Sequence, residues 1–240
     1  MSKNENPKSS KPTGQLGFVA LPARDGERSY QAITWPNSKP DIERCILESA
    51  LGAAAAAGLD LYELTQEPEQ NPEQDYDFTL RTPRGREYLD LMEIVPQPWT
   101  RGPHDQAPSA YRVGDFADAI YQELIIKAKH YGGPSYALHL LLYVTDWRLR
   151  PGPSLFGLLS HLCKEGAHGF RTIFYYCPDD ERHGQLIKIF PQETSTFDAA
   201  RARRIVTFQA DLSKAKVEGN RFMTRPFAPL NEPNHTEGQE

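Results

Sequence analysis

The run YALHLLLYV, residues 136–144, constrains the fold more than any other part of the chain, because only His139 interrupts its apolar character. A run this short reads as a strand rather than a helix, and a strand apolar on both faces needs cover on both. A layered α/β arrangement follows, and the neighbouring segments supply the layers. Upstream, residues 113–131 place Phe116, Ile120, Leu124, Lys127 and Tyr131 along one side of a helix that stops at Gly132-Gly133-Pro134. Downstream, SLFGLLSHLCK predicts a shorter helix, followed by FRTIFYYC and GQLIKIF as strands around the polar turn PDDERH. RIVTFQADL (204–212) is expected to add an edge strand.

Earlier in the chain, Ser38-Lys39-Pro40-Asp41 carries a helix-start signature: a capping serine, a proline in the first turn and an acid three places after the cap. Ile42, Cys45, Ile46, Ala53 and Ala56 then recur at helical spacing, with Ser49 in the same stripe, and such small residues predict a helix lying close against a sheet. DFTLRT (77–82) and EYLDLMEIV (87–95), joined through Pro83-Arg84-Gly85, read as a β-hairpin. The order helix, strand, strand, helix, strand, helix, strand, strand predicts an α/β sandwich with a central mixed sheet flanked by helices.

Polar residues 1–14 and the proline-scattered stretch 218–240 are expected to be flexible tails around one domain, 15–217. Within it, GFVALP and SYQAITW around Asp25-Gly26 predict a lead-in hairpin, and PQPWTRGPHDQAPSA after the central hairpin predicts a long loop. Cys45, Cys163 and Cys177 have no disulfide-framework spacing, and no stretch is apolar enough for a signal peptide or a membrane span. A cytoplasmic, membrane-independent protein is expected; its oligomeric state is left open. The formal charge of −5 gives no general attraction to nucleic acid, so such a partner would need a local basic patch.

Asp77 sits between aromatic residues in YDFTL and Asp90 between leucines in YLDLM, positions where a half-buried sheet ordinarily carries apolar side chains. Two carboxylates in adjoining strands repel unless a proton or cation joins them. Together with Glu43 and Glu48 on the upstream helix they make a candidate site for a hard divalent cation, Mg²⁺ or Mn²⁺. Strand alternation puts Tyr88, Asp90, Met92 and Ile94 on one face and Glu87, Leu89, Leu91 and Glu93 on the other. Asp90 is thus the first candidate for the second carboxylate, and Glu93 the alternative.

With this element order and this hairpin, residues 38–191 resemble the PD-(D/E)XK nuclease superfamily, the restriction-endonuclease-like fold. Asp77 matches the first acid of the family pattern, and Asp90-Leu91-Met92 matches the second part with Met92 where a lysine belongs; Tyr76 rather than proline precedes Asp77. The resemblance implies a metal-dependent phosphodiesterase acting on DNA or RNA, in which the carboxylates hold the metal and the lysine offsets negative charge. It also implies that a lysine from another element can stand in, and that a helix glutamate is at most an accessory ligand. Lys127, four residues after Glu123 on the apolar side of its helix, is the better stand-in; Lys129 should face solvent.

Other chemistries find no pattern: G-x-S-x-G and the phosphate-loop motif are missing, and His161, Cys163 and His168 lack paired zinc spacing. Arg81, Arg84 and Arg86, then Arg148 and Arg150, then Arg201, Arg203 and Arg204 form three basic groups that could meet phosphates. Two function classes follow. One is the nuclease; the other, for which Met92 argues, is a catalytically inactive nuclease fold kept as a binding or regulatory module.

Overall fold

The computed structural model describes residues 28–31, 35–72, 76–94, 110–132, 137–145, 151–178, 184–192, 197–208, 216–218 and 221–224. In chain order the elements are β1 (Arg28–Gln31), α1 (Lys39–Ala56), β2 (Glu69–Gln70), β3 (Phe78–Thr82), β4 (Gly85–Glu93), β5 (Ala110–Arg112), α2 (Val113–His130) and β6 (Leu138–Tyr143). There follow α3 (Pro153–Glu165), β7 (Thr172–Pro178), β8 (Gly184–Phe190), α4 (Ala199–Arg204), β9 (Val206–Phe208), β10 (Lys216–Glu218) and β11 (Arg221–Thr224).

A six-stranded mixed sheet in the order β2-β3-β4-β6-β7-β8 forms the middle layer. Strands β4, β6 and β7 run parallel in its centre, and the outer pairs are antiparallel. Parallel neighbours need a crossover, and α2 and α3 supply the two required. β6 is buried along its whole length, as its apolar sequence demands. One core lies between the sheet and the helices α2 and α3, built from Phe116, Ile120, Leu124, Leu138, Leu140, Leu155 and Leu159 among others. The second lies under α1, where Ile42, Ile46, Leu47 and Ala50 meet Leu80, Leu89, Leu91 and Leu141. The α/β architecture with helices on both sides of a mixed sheet is therefore observed.

Local chemistry accounts for the element ends that position the site. Ser38 caps α1 by accepting the Asp41 N–H at 3.3 Å, and Pro40 fits the first turn, where no intrahelical donor is needed. The β3–β4 turn closes at Gly85, whose φ of +112° disfavours any side chain. Gly132, at φ +81°, follows the end of α2.

The structure differs from the sequence reading at several places. The buried face of α1 keeps Ile42, Ile46 and Ser49 of the expected stripe and adds Leu47, Ala50 and Ala54, with Cys45 and Ala53 half-buried beside it, while Ala56 is exposed. Ser49 lies on the buried side and shares a 2.5 Å hydrogen bond with the Tyr176 hydroxyl. Of residues 204–212, described as far as 208, Val206–Phe208 form the short strand β9, but it pairs antiparallel with β5 rather than with the main sheet, and Arg204 closes α4 (199–204). Asp198 caps α4 by accepting the Arg201 N–H at 2.8 Å, and basic residues fill its last turn, where the helix dipole favours them.

β1 pairs with β11, which also pairs with β10, so part of the stretch expected as a C-terminal tail runs as strand. Residues 1–14, GFVALP of the lead-in hairpin, 225–240 and the expected long loop up to residue 109 lie outside the described residues. No disulfide joins Cys45, Cys163 and Cys177. Among the described residues no helix is long and apolar enough to cross a membrane.

Candidate functional site

The β3–β4 register brings the two predicted carboxylates together. Phe78 lies opposite Leu89 and Thr79 opposite Tyr88, so one further step sets Asp77 across from Asp90. Asp77 stands just before β3, where the backbone is held by Asn71, whose amide group donates to the Tyr76 carbonyl at 2.8 Å and accepts from the Thr79 hydroxyl at 3.0 Å. The Asp77 Oδ2 accepts the Leu91 N–H at 2.7 Å. Asp90 is 1% exposed in the middle of β4. Its Oδ2 accepts the Tyr131 hydroxyl at 2.5 Å and pairs with the Lys127 Nζ at 2.8 Å.

Lys127 and Tyr131 are one helical turn apart, so the end of α2 presents both donors to one oxygen. Burial, then the hydrogen bond and charge of Asp90, push the Asp77 carboxyl up to about 8, while the Leu91 amide pulls against them. A proton thus takes the place that a cation could fill between the two groups. Burial followed by the contact with Asp90 also raises the Tyr131 phenol, which remains a donor at every ordinary pH.

Glu43, buried in the first turns of α1, pairs with Lys39 at 3.1 Å. Burial raises its carboxyl; Lys39 and Lys127 pull it down, and Asp90 pushes it further up, so Glu43 stands within electrostatic reach of the pair. Burial lowers the Lys39 ammonium, yet Glu43, Asp77 and Asp90 outweigh it and hold the ammonium above its ordinary value. Glu48 is exposed on α1, and Lys129 is exposed on α2. Glu93 accepts a hydrogen bond from the Thr145 hydroxyl beyond the end of β6. Met92 packs its side chain against the core under α2. The structure therefore gathers Asp77, Asp90 and Lys127, sets Glu43 nearby, leaves Glu48 exposed, and keeps Glu93 close to Tyr143, whose phenol is raised by burial and pushed further up by Glu93, Glu43 and Asp77. Among the described residues no three His, Cys, Asp or Glu side chains converge tightly enough to hold a metal by themselves.

Three tyrosines absent from the sequence expectation of the site surround it. Tyr76 stacks on Tyr88 with centroids 4.5 Å apart and lies 4.6 Å from Tyr131. Tyr131 was visible in the sequence only as the last member of an apolar stripe; its position four residues after Lys127 was the signal that could have found it.

The opposite face of β4 carries a second polar network. Glu87 Oε2 lies 3.0 Å from His139 Nε2, while Glu87 Oε1 accepts from Arg84 Nε at 3.0 Å and pairs with Arg171 at 3.1 Å. The other ring nitrogen of His139 is 2.6 Å from the Thr172 hydroxyl, and the ring meets Tyr62 edge-on. Burial raises the Glu87 carboxyl, but Arg84, His139 and Arg171 outweigh it, so its pKa is lowered. Burial lowers that of His139 despite Glu87.

This network, with Glu63, engages Arg84 of the first basic group, and Asp118 takes Arg203 of the third in two contacts of 2.6 and 2.9 Å. Arg86, Arg201 and Arg204 are exposed and Arg81 is half-buried, while Arg148 and Arg150 lie outside the described residues. His161 is exposed and the buried His168 accepts the Phe170 N–H, so these two histidines do not share a site. Comparison with protein-family models, with curated proteins and with solved structures finds no match to this chain.

Proposed function

We propose that the chain is a divergent nuclease of the PD-(D/E)XK type, a metal-dependent phosphodiesterase acting on DNA or RNA, in which Lys127 does the work of the lysine replaced by Met92. One observation carries the reading: the Lys127 ammonium, from a helix, lies 2.8 Å from the carboxylate of Asp90, which in turn lies against Asp77. The donor set suits Mg²⁺ or Mn²⁺. Such ions commonly take one or two protein carboxylates and complete their shell with water and substrate phosphate, and crowded carboxylates are relieved by a cation as well as by a proton.

Asp77 and Asp90 would hold the metal, with Glu43 as an outlying acid; the ion would supply the charge that polarises a phosphodiester. Asp77 would release its proton to the solvent in taking that part. Lys127 offsets the negative charge that develops on the phosphate, from a place 25% exposed and so open to a substrate. Asp90, almost wholly buried, excludes water from its own side and keeps its orientation through Tyr131 and Lys127. Arg86 on the hairpin and the exposed Arg201 and Arg204 are the candidates for phosphate contacts away from the cleaved bond.

Purified protein should cleave DNA or RNA with Mn²⁺ or Mg²⁺, and both Asp77→Ala and Lys127→Ala should abolish cleavage. Losing one electrostatic contact of this kind commonly costs on the order of 10²–10³ in rate. No cleavage of either nucleic acid, with no thermal stabilisation by either ion, would replace the enzyme with the binding or regulatory module.

A further inference from the structure

Two donors of different stiffness converge on a single oxygen of Asp90. The Lys127 Nζ, at the end of a flexible four-carbon stem, is 2.8 Å from Oδ2, and the Tyr131 hydroxyl is 2.5 Å from the same atom. The Tyr131 ring is itself braced: Tyr76 lies 4.6 Å away on one side, Tyr88 stacks on Tyr76, and His130 meets the ring edge-on at 5.3 Å. Tyr76 directly precedes Asp77, and Tyr88 stands two residues before Asp90 on the same face of β4. The stack therefore ties together the start of β3, the middle of β4 and the end of α2. Where a strand lysine would sit beside the second acid, Met92 has no proton to donate.

We propose that Tyr131 is a positioning residue for the metal-holding carboxylate: its braced hydroxyl, with Lys127, fixes Oδ2 of Asp90 and thereby the orientation of the whole carboxylate. This rests on the metal-dependent reading above. A carboxylate held by two donors at one oxygen loses its freedom to rotate, and the groups that orient metal ligands commonly change metal affinity or activity by ~10–100-fold when removed. Tyr131→Phe keeps the ring and its stacking and deletes only the donor.

The test is Mn²⁺ titration calorimetry on the full chain, comparing the unmodified protein, Tyr131→Phe and, as a control on the same helix that packs in the α2–α3 core, Tyr121→Phe, alongside their thermal midpoints. The expected result is a loss of Mn²⁺ affinity of ~10–100-fold for Tyr131→Phe, with kcat lowered more than KM is raised, and no change for Tyr121→Phe. Equal Mn²⁺ affinity in Tyr131→Phe and the unmodified protein overturns the positioning role and leaves the nuclease reading standing. Failure of the unmodified protein to bind Mn²⁺ overturns both. A measurement free of substitution covers a variant that does not fold: Mg²⁺ should shift the carbon resonance of the Tyr131 C–OH group and leave that of Tyr121 in place, and an unmoved Tyr131 resonance also overturns the proposal.

Discussion

Asp77 is the residue at which site chemistry and stability conflict. Its carboxyl ordinarily titrates near 3.8, and burial together with Asp90 raises it to about 8 in the folded chain. Between those two values the native state holds a proton that the unfolded chain has released. The contribution is therefore complete below the lower value and is lost as pH rises through about 8. Asp77→Asn removes this dependence while keeping an acceptor for the Leu91 amide. The variant should melt at a higher temperature than the unmodified protein above pH 8 and at nearly the same temperature near pH 4, as read by calorimetry without divalent metal. At this scale Asp77, Asp90 and Lys127 were legible, because strand alternation and helical spacing act over a few residues. Tyr131 and the Glu87–His139 pair were not, since their partners lie 41 and 52 residues away and no local period links them.

Among the elements, β4 is the one on which both faces depend. Its α2 face carries Asp90, and its α1 face carries Glu87, which joins the hairpin turn through Arg84 and β6 through His139. Removing one member of a buried charged network strands the others, at a cost of about 3–5 kcal/mol for a fully buried pair. Arg84 and Arg171 both reach solvent, so Glu87→Ala should fall toward the lower end of that range, measured by urea denaturation. The long helices and strands were readable because each repeats its period several times. β2, β5 and β9, two or three residues each, are too short to show one, and their pairings come from tertiary packing. The helix before β9 was missed for the same reason: the cap at Asp198 marks a helix of only six residues, ending at Arg204, where the expected strand began.

Across the whole molecule, Asp77 and the Glu87–His139 network titrate in opposite senses. Glu87 and His139 both have lowered pKa values, so their contributions are lost on acidification, His139 below its ordinary 6.5 and Glu87 below 4.5. Asp77 loses its contribution on the way up to about 8. Above 6.5 only the Asp77 slope of these three remains, so the thermal midpoint should be greatest at or below that pH and decline until about 8, as a calorimetric pH series would show. The layered architecture was legible from one doubly apolar strand and the helices around it. The pairing of β1 with β11 was not, because it joins segments nearly at opposite ends of the chain, and polar, proline-rich composition around β11 argued for a tail.

The topology also sets an order of events. β3 and β4 are neighbours through a tight turn, and a hairpin of this kind closes within ~1–10 μs. The parallel β4–β6 pair must wait for the crossover that contains α2, and closing the longer loop is both slower and entropically dearer. Asp77 and Asp90 consequently meet before Lys127 arrives. While the hairpin is still open to water, solvent screens their repulsion, and the need for a proton, an ammonium or a cation arises only as α2 buries the pair. Docking of α2 is therefore the step at which the chain commits to one charge state for the pair.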